Sequence, residues 1–348
     1  MSVPHPQPVV GPLTPAAIFL TLTVEPGRES EARAALAGVS GLVRSVGFRA
    51  QEGGLSCVTG IGAQFWDRAF GSPRPSGLHP FIALDGGVHH APSTPGDLFF
   101  HIRAVRMDLC FELARQLGDA LRGMARIVDE VHGFRYFDTR DLLGFVDGTE
   151  NPAGQLAEGV AITGPDTDHP ASSYVIVQKY THDLEAWERL SVEDQEHAIG
   201  RTKLSDIEYP DEDKPANAHI ALNVIEDEEG NQRQILRDNM PFGSVGEGTF
   251  GTYFIGYAAD VTTIETMLER MFIGDPPGTT DRILDFSTAL TGALFFVPSQ
   301  DALDDPDLLD PPSTSDSPTS PGPRDDSLGV GGLRGTPQLG SIPTPGRT

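Results

Sequence analysis

Cysteine is nearly absent. The 348 residues hold two, Cys57 and Cys110, each inside an apolar run, "LSCVTGIG" and "MDLCFELA". Two buried-looking thiols exclude a disulfide framework and a cysteine-rich zinc or iron–sulfur site. Basic residues are scarce as well: Lys and Arg number 25 against 50 Asp and Glu, a formal net charge of −25. A surface of that sign repels phosphate backbones and anionic lipid, so nucleic acid and membrane are set aside as partners. Long hydrophobic runs are missing too. The first apolar run, "AAIFLTLTV", is short, broken by Thr and preceded by no basic leader. It reads as a strand rather than a signal peptide or membrane span, and the chain is expected to be soluble and cytoplasmic. No two histidines have the i, i+4 spacing of a zincin helix. Hydrophobic residues make up 38 %, below the globular average, so part of the chain is expected not to pack.

What is present has a clear order. "AIFLTLTV" (Ala17–Val24) reads as a buried strand, "ESEARAALAGVSGLVRSVG" has helical spacing, and "GLSCVTGIG" reads as a second strand. "DLFFHIRAVR" is a third strand, "MDLCFELARQLGDALRGM" an amphipathic helix, and "ARIVDEVHGF" closes the set. Strand, helix, strand, strand, helix, strand is the ferredoxin-like pattern. The second half repeats it loosely. "SYVIVQKY" and "GTYFIGYAAD" are strands, "TTIETMLERMF" is a helix and "GALFFVP" a final strand, while "HIALNVIED" and "RQILRDNM" bracket the turn "EEGN". The fold class is therefore α+β: tandem ferredoxin-like halves of the dimeric α+β barrel type, with antiparallel sheets and helices packed outside. The expected divisions are 1–150, 151–300, a disordered Pro/Ser/Asp-rich linker at 301–326, and a tail at 327–348.

Three local features could carry chemistry. In "LLGFVDGTENP", Asp147 stands between Gly144 and Gly148, and an ordinary turn explains it as well as a functional acid does. The stretch lacks the alternating acids of an EF-hand, which argues against calcium. In "KPANAHIALNV", His219 is a lone histidine, a pattern that most often marks a satisfied structural residue. In "ILRDNMPFG", Arg237 and Asn239 are two apart and would share one face of a strand. A surface salt bridge is the ordinary reading of that arginine.

Together these stretches, with "GRTK" (Gly200–Lys203) and "GTYFIGY", resemble the dye-decolourising peroxidase family, most closely its B-type bacterial branch. Gly144, Phe145, Val146, Asp147 and Gly148 match the family's Gly-x-x-Asp-Gly motif in full, and the resemblance runs from about Pro12 to Pro298. It implies a peroxidase that uses hydrogen peroxide to oxidise small organic reductants such as dyes and phenolics, through a ferryl intermediate. It implies one haem b per chain, held in the second half with His219 as proximal iron ligand. Asp147, Arg237 and Asn239 would lie on the distal face. Asp281, or failing that Asp285, would bond the imidazole, and Arg201 and Lys203 would meet the propionates. An axial histidine leaves one iron face open, and an acid behind the imidazole makes it more electron-donating. A distal carboxylate suits general acid–base work, and an arginine suits the charge on a departing oxygen. Arg237 would hold the Asp147 carboxyl below its ordinary pKa of about 3.9, favouring work at acidic pH. Which of the two dominates stays open. Trp66, Trp187, Tyr136, Tyr180, Tyr253 and Tyr257 could carry oxidising equivalents, although core packing is their commoner role.

The tail carries one more motif. Ser327, Leu328, Gly329, Val330, Gly331, Gly332 and Leu333 form a small apolar patch beyond the linker. It resembles the C-terminal cargo-loading peptide by which such peroxidases enter encapsulin shells, with Leu328, Val330 and Leu333 as anchors. That resemblance implies an encapsulin nanocompartment in the cytoplasm and a role in oxidative-stress defence, and the family resemblance implies a homo-oligomer of two to six chains. A haem-handling protein and a non-haem binding protein are the rival readings.

Overall fold

The alternation in "AAIFLTLTV" becomes β1 (Ala16–Val24), buried on both faces along nearly its whole length. The computed structural model describes residues 4–227 and 229–310. Helices α1 (Glu29–Leu36) and α2 (Val39–Gly47) follow, then β2 (Ser56–Gly62) and the short α3 (Ala63–Ala69). β3 (Leu98–Ala104), α4 (Met107–Ala120) and β4 (Ala125–Phe134) complete the first half. The amphipathic reading of α4 holds, since it buries Leu109, Cys110, Leu113, Ala114 and Leu117 along one stripe.

The second half opens with α5 (Gln155–Ala161) and β5 (Ser173–His182). Next come α6 (Leu184–Glu188) and α7 (Val192–Ile199), whose first turns are capped by Asp183 and Ser191. α8 (His219–Asn223), β6 (Leu236–Arg237), β7 (Met240–Ser244) and β8 (Thr249–Ala258) follow. The half ends with α9 (Thr262–Phe272), β9 (Ser287–Ala289) and β10 (Ala293–Val297).

Ten strands form one antiparallel sheet in the order β6-β8-β5-β10-β2-β3-β1-β4, with β7 also on β8 and β9 on β5. With β6 and β7 counted as one interrupted strand and β9 left aside, each half has the same internal order: fourth strand, first, third, second. β10 on β2 joins the halves, through Phe295 opposite Gly62 and Phe296 opposite Ile61. The sheet curls until its ends meet: a Cβ on Gly133 of β4 would lie 2.5 Å from Cβ of Met240 on β7. Glycine is needed there for that approach. The interior is filled by Phe19, Phe99, Tyr253, Tyr257 and Phe295 among others, with Phe99 stacked on Phe295 at 5.2 Å. The helices cover the outer faces over a separate apolar layer.

Within "HIALNVIED", residues 219–223 form a helical turn that buries Leu222 and packs against α9. One expectation is corrected: the expected linker does not begin at 301. Gln300–Asp304 is a helix, α10, capped by Ser299, and Pro306–Leu309 is a 3-10 turn. Leu303 and Leu309 are buried, and Arg33 holds Asp307 and Asp310 at 2.6 and 2.7 Å. Two leucines and one arginine order a stretch whose composition alone reads as disordered. Leu303→Ala is accordingly expected to cost about 2–5 kcal/mol, as a buried leucine does. Chemical denaturation would show it, and an unchanged midpoint would mean that this segment is not docked. Residues 311–326 and the 327–333 motif lie outside the described residues.

Candidate active site

A cleft lies between helices α8 and α9 and the outward face of β5 and β8. Alternation along β8 explains the division of labour: Thr252 and Phe254 line the cleft, while Tyr253, Ile255 and Tyr257 point into the barrel. The walls of the cleft are mainly apolar, with Ile220 from α8 and Met267, Leu268 and Met271 from α9. A few polar groups converge on it: Asp147, His182, Arg201, His219, Arg237 and Asn239. An apolar wall from α8 and α9 facing convergent polar groups suits a large flat cofactor.

Two histidines line the cleft among the described residues, and their bonding separates them. His219 Nδ1 lies 2.7 Å from Asp281 Oδ2, and Asp281 is fully buried. Asp281 is itself fixed by the Ile283 N–H, which donates to its Oδ1 at 2.9 Å. The carboxylate places the proton on Nδ1 and leaves Nε2 with a bare lone pair, the form a metal needs. His182 has both ring nitrogens engaged, with Ser287 Oγ at 2.8 Å and Thr252 Oγ1 at 2.9 Å. Burial pushes its pKa down to about 4, so it is a neutral hydrogen-bonding wall. Asp285, the second choice for the imidazole's partner, instead faces His89 Nε2 at 3.2 Å.

Asp147, Arg237 and Asn239 come together at one part of the wall. Gly144 and Gly148 take positive φ, +93° and +80°, which lets the chain turn tightly around Asp147. Asn239 Nδ2 reaches Asp147 Oδ1 at 3.4 Å, a long contact, while its Oδ1 accepts the Ile255 N–H at 3.1 Å. Arg237 makes no ion pair among the described residues, and its buried Nε has no partner. An orphaned guanidinium aimed into a cleft is unusual in a finished core and fits an anionic or strongly polar ligand.

The expected depression of the Asp147 pKa is not found. Burial pushes it up, and Arg237 and the Asn239 bond only partly offset this. The loss of water outweighs the nearby cation. Asp141, which sequence reading did not single out, also lines the cleft. Burial pushes it up to about 7, with the Asp147 charge adding to the rise.

Arg201 faces the cleft, tied to Asp206 at 2.7 Å and Glu150 at 3.3 Å. Lys203 does not line the cleft, contrary to expectation. Its Nζ donates to Gln195 at 2.6 Å and sits 5.5 Å over the Phe145 ring. Its stem packs where a Cβ on Gly144 would be, so it supports the Asp147 loop from outside. Asn151 was also missed, because Asn-Pro reads as a turn. Its side chain grips the Arg237 backbone at both ends, accepting from N–H at 2.9 Å and donating to C=O at 2.6 Å. Trp66, Trp187, Tyr253 and Tyr257 are buried in packing.

A double ferredoxin-like barrel with a histidine–carboxylate pair and an Asp/Arg/Asn cluster in one cleft defines a class, and comparison with known proteins agrees. The N-terminal domain of the Dyp-type peroxidases matches residues 6–135, and the C-terminal domain matches residues 138–302. The chain is 63 % identical over 354 aligned positions to a dye-decolorizing peroxidase of Brevibacterium linens, covering 94 % of this chain and 96 % of that one. It is 54 % identical to the dye-decolorizing peroxidase of Mycobacterium tuberculosis, covering 97 % of this chain and all of the other. Among solved structures, the encapsulated DyP-type peroxidase from Mycobacterium smegmatis matches with a TM-score of 0.85 and 60 % identity, covering 87 % of this chain and 99 % of that one. A variant of Rhodococcus jostii DypB in complex with heme matches at 0.84 and 56 %, covering 86 % and 98 %. The chain belongs to the Dyp-type peroxidase family and is a dye-decolourising peroxidase. No helix among the described residues is long and apolar enough to cross a membrane.

Proposed function

We propose that the cleft would bind one haem b, with His219 Nε2 as the protein's ligand to its iron, and that the enzyme uses hydrogen peroxide to oxidise small organic reductants such as phenolics and dyes. The carrying observation is the His219–Asp281 pair, which leaves one bare imidazole nitrogen in an apolar cleft. When bound, haem supplies an iron centre that takes up the oxidising equivalents of peroxide and passes them to a reductant. The residues divide the remaining work. Asp281 holds the proton on Nδ1 and makes the imidazole a stronger donor. A carboxylate oxygen of Asp147 takes a proton from peroxide and returns it to the leaving oxygen. Arg237 stabilises the negative charge on that oxygen, and among the described residues it makes no ion pair and its buried Nε has no partner. Asn239 steadies Asp147. Arg201 is placed to meet a propionate.

The acid–base role has a pH signature. Asp147 acts as a base only when ionised, and burial raises its pKa. The rate with peroxide should therefore rise with pH, on a limb lying above the ordinary aspartate value of about 3.9. Stopped-flow absorbance of the haem-loaded protein across pH would measure it. Asp147→Asn should remove the limb, and a limb that persists in that variant refutes the assignment.

The tail reading is kept as a second proposal: residues 327–333 dock the enzyme in an encapsulin shell, as cargo and as a homo-oligomer. Its support is the motif and the likeness to an encapsulated relative. A chain ending at Ser320 should keep peroxidase activity and lose co-purification with a co-expressed shell. Full-yield packaging of that shorter chain would end the idea.

A further inference from the structure

Arg237 and Asn239 sit where the sheet is weakest. β6 is two residues long, and β7 starts only at Met240, yet both keep one register on β8, with Arg237 opposite Gly256 and Met240 opposite Tyr253. Between them the ladder is altered. The Asp238 N–H still reaches Ile255 C=O at 3.2 Å, but the Ile255 N–H is taken by the Asn239 side chain at 3.1 Å. Alternation sends Arg237 and Asn239 to the cleft and Asp238 to the barrel interior.

There Asp238, 4 % exposed, meets Arg103 of β3, 3 % exposed, at 2.8 Å between Oδ2 and Nη1. Arg103 Nη2 also donates to the Pro8 carbonyl of the N-terminal arm. The surroundings do little else for this pair. Among the described residues, Asp238 Oδ1, Arg103 Nε and His101 Nε2 all lack partners, and His101 Nε2 is 3.8 Å from Asp238 Oδ2. Burial keeps the His101 ring from charging, so Arg103 is the cation that balances Asp238. A buried ion pair adds little net stability over apolar packing, and an incompletely bonded one adds less. Its position offers a different use, because Asp238 lies between two residues whose aim matters and the pair ties them to the opposite half of the fold.

We infer that Asp238 and Arg103 are positioning residues: their ion pair anchors the 237–239 segment from the barrel side and sets the aim of Arg237 and Asn239 into the cleft. This rests on the reading of that cleft as the peroxide site. The anchor comes from β3 of the first half, so the first half contributes to the chemistry of the second.

The test compares haem-loaded Asp238→Asn, Asp238→Glu and Arg237→Leu with the native enzyme. Misplacing the pair by about an ångström should slow the reaction of Asp238→Asn with peroxide roughly tenfold to a hundredfold. Cyanide affinity, read from the Soret shift, should weaken in parallel, and KM for an organic reductant should stay within about twofold. Asp238→Glu should recover part of both losses. A merely structural role would lower haem content and melting temperature while the loaded fraction reacted at the native rate, and that result overturns the inference. If Asp238→Asn does not fold, the double variant Arg103→Met/Asp238→Leu removes both charges without stranding one. The same rate then decides: slowed supports the anchor, native refutes it. Arg237→Leu separates the two readings. A slow Arg237→Leu with a native-rate Asp238→Asn fails the positioning claim alone, whereas a fast Arg237→Leu fails the peroxide-site reading itself.

Discussion

His219→Ala is expected to purify without haem and to show no Soret band, while retaining its fold. Two histidines line the cleft among the described residues, but His182 has both nitrogens committed to Ser287 and Thr252. It cannot substitute without giving up two buried hydrogen bonds. His219 sits on a five-residue helix whose packing depends on Leu222, so its truncation leaves the core intact. Asp281 is buried, and the variant leaves its Oδ2 without the imidazole, so a modest loss of stability should accompany the loss of haem. Absorption spectra after expression with haem supply would check this. A full Soret band in His219→Ala would remove the axial-ligand assignment.

The second large effect concerns the Asp147, Arg237 and Asn239 cluster. Arg237→Leu should bind haem normally and react with hydrogen peroxide about 10²–10³-fold more slowly, the cost of removing one preorganised charge-stabilising donor. The backbone at 237 is clamped by Asn151 whatever the side chain, so the loop should keep its path. The substitution also removes a buried Nε that has no partner among the described residues, which limits any cost to folding. Asp147 should respond too. Without the guanidinium its pKa rises further, because Arg237 is the largest of the influences that hold it down. The acid limb of the peroxide rate should therefore shift to higher pH in Arg237→Leu. Stopped-flow traces at several pH values give both numbers, and a native rate would show that charge stabilisation comes from elsewhere.

Much of this was legible before any coordinates. The strand–helix order of both halves could be read because apolar period and turn residues agree in "AAIFLTLTV", "MDLCFELARQLGDA" and "TTIETMLERMF". Asp147, His219, Arg237 and Asn239 were found through spaced motifs rather than local chemistry, since each alone has an ordinary reading. Other features were not legible. Residues 301–310 look disordered by composition, yet Leu303 and Leu309 are buried in the core cluster with residues far away in sequence. Lys203 lies near Arg201 in sequence but turns away, because its stem fills the space beside Gly144. The direction of the Asp147 shift was misjudged for the same reason: a neighbouring arginine shows in a motif, and loss of water does not.

The sequence by itself determined the class of fold, the family and the candidate site residues, because period, turns and motif order are local properties. Tertiary structure decided which histidine keeps a free nitrogen, which aspartate stands behind it, and where Lys203 points. It also revealed that Arg103 reaches Asp238 from the opposite half. Those outcomes depend on distance, burial and competition for partners among residues up to 135 positions apart, and such quantities exist only once the sheet has closed.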